Sequence, residues 1–273
     1  MTFTADLHVH STASDGELSP SEVVAKAASL GIAAIALTDH DTVDGQQEAQ
    51  LAGIQYGVQV IAGIELSAEY KQNEVHVLGY FIQPNQGSLK SKLEQLQQSR
   101  HKRALEMVQK LQSLGINLNW NQVKKYLQGS VVGRPHIARA LVDIGSVRSV
   151  QEAFELYLKK GRPAYVPRYK LSPQEAIAMI HHSKGAAVMA HPGQLPDLSY
   201  LDELLQLDWQ GIEVFHPDHN HETILNLQQI AKKHNLVATG GSDYHGSGRK
   251  YHNLGAYKVS KDVVETLKMR CQF

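Results

Sequence analysis

The sequence lacks the features that mark secreted, membrane-spanning and nucleotide-cofactor proteins. Its single cysteine, Cys271, excludes an intramolecular disulfide bond. No basic and then apolar leader opens the chain, and no apolar run is long enough to cross a bilayer, so we expect a cytoplasmic protein that does not contact membranes. A glycine-rich dinucleotide fingerprint and a Walker loop are also missing, which disfavours a nucleotide-cofactor fold.

The chain has no net charge either, since 27 Lys and Arg residues balance 27 Asp and Glu residues. The overall charge therefore gives no reason to expect attraction to nucleic acid or membranes, although local patches can still attract them. The hydrophobic fraction of 42% and the charged fraction of 20% are ordinary for a globular protein. A chain of 273 residues can bury the core of one domain, or of one domain that carries an insertion.

Histidine is the residue type that the sequence has in excess, with 15 copies. The first cluster is the stretch 6–16, in which His8 and His10 follow a strand-like segment. Side chains two residues apart on a strand point to the same face, so both imidazoles should point the same way. Two imidazoles on one face form a natural metal clamp, and Asp15 follows close behind them.

Short apolar runs alternate with helical patterns over much of the chain. Capping boxes predict helix starts at Ser19 and Ser172, each followed three residues later by a glutamate. The runs that predict strands are 32–37, 58–64, 74–81, 186–190, 211–215, 236–240 and 254–259. Strands that alternate with helices favour a parallel sheet, and polar groups gathered at strand ends favour a barrel over an open sheet.

One segment interrupts this alternation. From residue 87 to 165 apolar residues recur at helical spacing, so we predict an inserted helical lobe, with 1–86 and 166–273 forming the barrel. The stretch 115–170 carries ten basic and three acidic residues, and such a lobe should attract a polyanion. Arg134 and His136 are the predicted substrate-binding residues, because they lie at a predicted helix start where backbone N–H groups favour phosphate.

Nine side chains lie at or just beyond the predicted strand ends, on the face where barrel enzymes build their sites. These candidate metal ligands are His8, His10, Asp15, His40, Glu65, His76, His191, Asp243 and His245. A mixed imidazole and carboxylate set suits Mn²⁺, Zn²⁺ or Fe²⁺ better than Ca²⁺ or Mg²⁺. Because a catalytic zinc uses about three protein ligands, the set fits two or three divalent ions, with Glu65 as a candidate bridge.

Five other histidines are weaker candidates for metal ligation. His216, His219 and His221 follow a predicted strand within a loop, where a surface or substrate-facing role is as plausible as metal ligation. His181 and His182 lie on a predicted helix, and we interpret both as structural or exposed.

Five blocks taken together make the chain resemble the PHP family, named for polymerase and histidinol phosphatase. The blocks are Asp6-Leu7-His8-Val9-His10, Thr38-Asp39-His40-Asp41, Gly63-Ile64-Glu65-Leu66-Ser67, Ala190-His191-Pro192-Gly193 and Gly241-Ser242-Asp243-Tyr244-His245. The resemblance implies a distorted (β/α)7 TIM-like barrel with a di- or trinuclear metal site, for which Mn²⁺ is the preferred ion and Zn²⁺ or Fe²⁺ the alternatives.

The resemblance also implies how the ligands divide. One metal would be held by His8, His10, Glu65 and Asp243, a second by Glu65, His76 and His191, and a third by Asp15, His40 and His245. Two shorter motifs, Ser14-Asp15-Gly16 and Gly133-Arg134-Pro135-His136, together with the helical insertion, resemble the branch of nucleoside 3′,5′-bisphosphate phosphatases and 5′-to-3′ exoribonucleases.

We therefore predict a metal-dependent phosphoesterase that hydrolyses a phosphate monoester of a small nucleotide, such as the nucleoside 3′,5′-bisphosphate pAp, with trimming of short RNA as a further activity. Paired divalent ions suit this chemistry because they activate water and hold phosphate oxygens in line. Histidinol phosphate phosphatase, an amidohydrolase and a non-catalytic metal-binding PHP module are the alternatives. The sequence identifies neither the group that protonates the leaving oxygen nor a protein partner.

Overall fold

A computed structural model describes residues 3–83, 89–127, 129–167, 169, 171–195, 199–246 and 253–271. Within these residues one mixed sheet is flanked by helices. Its strands are β1 (Thr4–Val9), β2 (Ala34–Leu37), β3 (Gln59–Tyr70), β4 (Asn73–Tyr80), β5 (Ala186–Met189), β6 (Gly211–Phe215), β7 (Val237–Gly240) and β8 (Val259–Ser260).

Ten α-helices are present in the same described ranges. They are α1 (Pro20–Ser29), α2 (Gln46–Tyr56), α3 (Leu89–Ser113), α4 (Trp120–Lys124), α5 (Arg134–Asp143), α6 (Val150–Ala153), α7 (Pro173–His182), α8 (Ser199–Leu204), α9 (His221–Lys233) and α10 (Lys261–Met269). A π-helical turn, Phe154–Leu158, continues α6, and a 3₁₀ turn, Pro192–Gln194, follows β5. The capping boxes predicted at Ser19 and Ser172 both form, at the starts of α1 and α7. None of the described helices is both long enough and apolar enough to span a bilayer.

The sheet has the strand order β7-β6-β5-β4-β3-β2-β1-β8 and is parallel except at two places. Strand β4 runs antiparallel to both β3 and β5, and the short β8 runs antiparallel to β1. The predicted parallel sheet is therefore interrupted at β4. The local reason is the two-residue turn Lys71-Gln72, where φ values of 46° and 66° give the left-handed backbone that tight hairpins require.

The two ends of the sheet approach each other closely enough to make a nearly closed barrel. Val9 forms a parallel bridge with Tyr244, and the N–H of His10 donates to the Tyr244 carbonyl at 2.9 Å. Asp6 strengthens this seam, since its carboxylate accepts from the backbone N–H groups of Ser242 at 2.9 Å and Gly255 at 2.8 Å. The end of β1 is thereby fixed beside the segment that follows β7.

Strand β3 is longer than the sequence pattern predicts. The apolar run indicated a strand that ends just before Glu65, whereas the structure extends it to Tyr70 through pairing with β4. Glu65 and His76 consequently lie inside long strands rather than at strand ends. The extended piece predicted at 254–259 also differs, because only Val259 and Ser260 pair as a strand.

The helical segment between β4 and β5 has an apolar core of its own, which includes Met107, Leu111, Ile137 and Leu141. The first half of α3 belongs elsewhere, because its leucines, such as Leu93, join the core beneath the sheet. Helix α3 therefore joins the two cores instead of packing only within the lobe. The division at residues 86/87 and 165/166 stays a prediction, and its first boundary lies among residues 84–88, outside the described part.

Candidate metal centre

His8, in β1, and His10, just beyond its end, project toward the same two carboxylates. The Nε2 atom of His8 lies 3.4 Å from Glu65 Oε2 and 3.4 Å from Asp243 Oδ1. The Nε2 atom of His10 lies 3.2 Å and 3.3 Å from the same two oxygens. The alternation of a strand thus places both imidazoles on one face, as predicted, and the four side chains form one compact donor group.

Glu65 stands at the centre because its two oxygens face different partners. Oε2 faces the histidines of β1 and lies 3.0 Å from His40 Nδ1. Oε1 lies 2.7 Å from His76 Nδ1 and 3.1 Å from His191 Nε2. Glu65 is almost fully buried, so both sets of contacts are shielded from solvent. This geometry suits a carboxylate that bridges two cations.

A third donor group lies beyond His10. It consists of His10, Asp15, His40 and His245, whose potential ligand atoms all lie within 4.8 Å of one another. His245 Nε2 is 3.2 Å from Asp15 Oδ1, and the ring of His245 stacks on that of His10 with centroids 4.0 Å apart. All nine side chains that the sequence singled out as metal ligands therefore gather at one end of the barrel.

Buried polar atoms show that this cluster suits cations. Among the described residues, His8 Nε2, His40 Nδ1 and Glu65 Oε2 are buried without a hydrogen bond of good geometry. A buried polar atom left in this state costs free energy, and cations bound at the donor groups that contain these atoms would satisfy them. Imidazole nitrogens with carboxylate oxygens are donors for divalent transition metals. The residues present therefore fit divalent ions.

The pKa values of the clustered side chains are shifted by burial and by the close approach of imidazoles and carboxylates. Burial alone would raise the pKa of Glu65, but the imidazoles of His40, His76 and His8 hold it well below its ordinary value. Burial lowers the pKa of His40 to about 3 despite the nearby carboxylates. For His10 the opposite balance holds, since Asp243 and Glu65 outweigh burial and raise its pKa to about 9. The carboxylates thus favour a positive charge nearby, which a metal ion would supply in place of a proton.

Two buried residues of the site were missed or left open by the sequence. Glu213, on β6, accepts from His8 Nδ1 at 3.0 Å and from the backbone N–H of His191 at 2.8 Å. It lies inside an apolar run, and only the alternation of β6 could have signalled its inward direction. His216 is fully buried, its Nε2 lies 3.6 Å from Asp243 Oδ2, and it is not a surface residue.

The other four histidines that were weaker candidates for metal ligation differ in burial. His219 is buried and accepts from the N–H of Gly193 at 3.1 Å, so a surface role is wrong for it as well. His221 is exposed at the start of α9. His181 bonds to Gln210 at 2.7 Å and His182 is exposed, which agrees with the interpretation of these two as structural or exposed.

Non-ligand carboxylates hold the loops that carry the donors. Asp39 accepts from the N–H of Ser11 at 2.8 Å and from Ser14 Oγ at 2.6 Å, which fixes the loop ahead of Asp15. Asp41 binds the guanidinium of Arg100, whose Nε lies 2.6 Å away. Arg100 comes from α3, so the helical segment contributes directly to the loop that carries His40.

The two predicted substrate-binding residues lie on different cavities. Arg134 lines a cavity of about 300 Å³ together with His76, His191 and Gln194. His136 is buried, its Nδ1 accepts from the Gly133 N–H at 2.9 Å, and it lines a neighbouring cavity of about 210 Å³ with Arg139. Two basic residues counted in the helical segment, Arg168 and Lys170, lie outside the described residues.

An α/β barrel with clustered histidines and carboxylates at one end defines the class of metal-dependent barrel hydrolases. The chain belongs to the PHP family: a family model described as the PHP domain matches residues 6–166. His191, Asp243 and His245 lie beyond that match, although the fold brings them to the same centre.

Similar proteins agree with this family. A 3′,5′-nucleoside bisphosphate phosphatase of Chromobacterium violaceum is 35% identical over 92% of this chain and 90% of its own length. A 5′-3′ exoribonuclease of Haemophilus influenzae is 34% identical over 90% of this chain and 91% of its own. These relatives confirm the predicted family and support the predicted class, a metal-dependent hydrolase of phosphate esters.

Solved structures confirm the barrel. A metal-dependent phosphoesterase of Bifidobacterium adolescentis superposes with a TM-score of 0.91 at 31% identity, covering 98% of this chain and 96% of that one. A Chromobacterium violaceum structure described as an amidohydrolase with bound sulfate and no metal gives 0.89 at 32% identity, with coverage of 98% and 97%. The predicted PHP-type TIM-like barrel is therefore correct.

Proposed function

We propose that this chain is a metal-dependent phosphoesterase that removes a phosphate from a small nucleotide of the nucleoside 3′,5′-bisphosphate class. The observation that carries the proposal is the position of Glu65, whose two oxygens face two separate sets of imidazoles within the barrel. Bound divalent ions would supply Lewis acidity and activated water for phosphoester hydrolysis. The names of the similar proteins support a nucleotide as the substrate.

The ligand assignment is part of the proposal. His8, His10, Glu65 and Asp243 would hold one ion, Glu65, His76 and His191 a second, and Asp15, His40 and His245 a third. The donor groups support the first and third sets, with His10 also close to the third group and His40 also close to Glu65. The second set is supported by the contacts of Glu65 Oε1 with His76 and His191. We propose Mn²⁺ as the working ion, with Zn²⁺ or Fe²⁺ as alternatives.

Arg134 is the proposed phosphate-binding residue. It reaches the cavity that is also lined by His76 and His191, so a phosphate held there would lie next to the donors of the second ion. Its guanidinium lies 5.6 Å from the Phe154 ring centroid, a contact that restrains the side chain. A guanidinium can bind phosphate through two parallel hydrogen bonds. His136 is proposed to contact the substrate from the neighbouring cavity.

The test is phosphate release from pAp by the purified chain loaded with Mn²⁺. Release of inorganic phosphate is expected, and no release with Mn²⁺, Zn²⁺ or Fe²⁺ would refute the proposal. Histidinol phosphate in a parallel reaction tests the alternative, a histidinol phosphate phosphatase. If that alternative holds, histidinol phosphate should be hydrolysed faster than pAp. An amide substrate tests the amidohydrolase alternative in the same way.

Trimming of short RNA from its 5′ end is a second candidate activity. It is favoured by the exoribonuclease relative and by basic residues such as Arg134 and Lys160, which line one cavity of about 220 Å³. A 5′-phosphorylated oligoribonucleotide should be shortened from the 5′ end, whereas loss from the 3′ end would contradict this activity.

The cytoplasmic location stays a prediction.

A further inference from the structure

Glu74 lies where the metal centre meets the cavity beside it. It stands on β4 two residues before His76, so both side chains point to the same face of the strand. Its Oε1 lies 2.8 Å from His76 Nε2, and its Oε2 lies 3.2 Å from an Nη atom of Arg134. One carboxylate thus contacts a candidate metal ligand and the proposed phosphate-binding residue.

The contact with His76 fixes which ring nitrogen faces the metal centre. His76 Nδ1 lies 2.7 Å from Glu65 Oε1 and 3.2 Å from His191 Nε2. Nδ1 is therefore the atom that can ligate, and Nε2 carries the proton that is donated to Glu74. A carboxylate that accepts from the remote nitrogen of a ligating imidazole fixes its tautomer and orientation and raises its basicity.

The contact of Glu74 with Arg134 restrains the long Arg134 side chain, which lines the cavity. Arg134 is held by Glu74 on one side and by the Phe154 ring on the other. The Arg134 side chain is 21% exposed and that of Glu74 is 40% exposed, so the pair is accessible to an incoming anion. A preoriented guanidinium binds phosphate with less loss of side-chain entropy.

We propose that Glu74 is a positioning residue that links metal binding to phosphate recognition. One of its oxygens orients His76 toward the metal centre, and the other holds Arg134 ready for the substrate phosphate. This inference rests on the proposed function, and nothing in the names of the similar proteins assigns such a role.

Two substitutions separate the two contacts. Glu74→Gln keeps an oxygen that accepts from His76 but loses the charge that holds Arg134, so Mn²⁺ affinity should stay near that of the wild type while KM for pAp rises about two- to fivefold, the scale of an exposed ion pair. Glu74→Ala loses both contacts, and its Mn²⁺ affinity should fall about 10- to 100-fold. Calorimetric titration with Mn²⁺ measures the affinity without reference to activity.

Controls make the outcome decisive. Glu94→Gln, at an exposed position on α3, should leave Mn²⁺ affinity and KM unchanged. In an Arg134→Ala background, Glu74→Gln should add no further rise in KM. Unchanged Mn²⁺ affinity in Glu74→Ala, a fall in KM in Glu74→Gln, or additive effects in the double variant would overturn the inference. A wild type that binds Mn²⁺ but releases no phosphate would instead refute the proposed function, while the Mn²⁺ titrations would still test the contact with His76.

Discussion

The charged groups of the barrel centre are buried more deeply than Arg134 of the helical segment. In the barrel, Glu65, His8 and Glu213 are almost completely buried, and His8 contacts both carboxylates. In the helical segment, Arg134 is only partly buried and is held by two exchangeable contacts. A buried, over-determined set suits metal ions, whereas an accessible cation suits an exchanging anion. Under the proposed function, the barrel centre would carry out the chemistry and Arg134 of the helical segment would help to select the substrate.

Removal of the central carboxylate, that of Glu65, should have the largest effect and tests this contrast most directly. Glu65→Gln should abolish tight Mn²⁺ binding and lower the rate of phosphate release by roughly 10³-fold or more, because metal ions contribute several kcal/mol to such reactions. Metal analysis of the purified variant and phosphate release measure the two effects. Glu69→Gln, on the same strand but outside the donor groups, is the matched control. Normal metal content and rate in Glu65→Gln would contradict the assigned centre.

A change in the core of the helical segment tests whether the two regions separate. Leu111 is fully buried in that core, so Leu111→Ala should cost about 2–5 kcal/mol of unfolding free energy. We expect Mn²⁺ binding to survive, because the donors lie in the barrel. Denaturant unfolding and Mn²⁺ titration make the comparison, with the exposed Leu114→Ala as control. Loss of Mn²⁺ binding in folded Leu111→Ala protein would show that the barrel centre depends on this core.

Loss of the proposed phosphate contact should affect substrate binding and spare the metal. Arg134→Ala should raise KM for pAp about 10- to 100-fold, since a charge-assisted hydrogen bond contributes about 1.5–3 kcal/mol. Steady-state kinetics at saturating Mn²⁺ and a Mn²⁺ titration provide the measurement. Arg162→Ala, at an exposed position in the same segment, should change neither. An unchanged KM in Arg134→Ala would place the phosphate elsewhere.

The smallest expected effect is a pH dependence in the helical segment. Burial lowers the pKa of His136 below its ordinary value, so the unfolded chain binds a proton here more readily than the folded chain. His136 should therefore contribute full stability above about pH 6.5 and lose it as the pH falls below that value. His136→Asn should flatten the decline in unfolding free energy between about pH 7 and pH 5. A decline as steep in His136→Asn as in the wild type would refute the assignment to His136.

Local rules predicted much of the site because several of its parts depend on neighbours in the chain. The alternation of a strand suffices to place His8 and His10 on one face. A serine and a glutamate three residues apart suffice to start α1 and α7. The motif blocks in their chain order identify the family, because each side-chain type is needed at its own place in the site.

Contacts between distant residues decided the rest. Only pairing with β4 extends β3 beyond Glu65, and that pairing also places His76 opposite Ser67 and near the bridging carboxylate. The burial of His216 and the inward direction of Glu213 depend on how β6 packs between its neighbours. The residue order along the chain sets which candidate donors are present and which of them share a strand face. Which candidate donors meet depends on the closure of the barrel, because that closure is set by pairings between segments far apart in the chain.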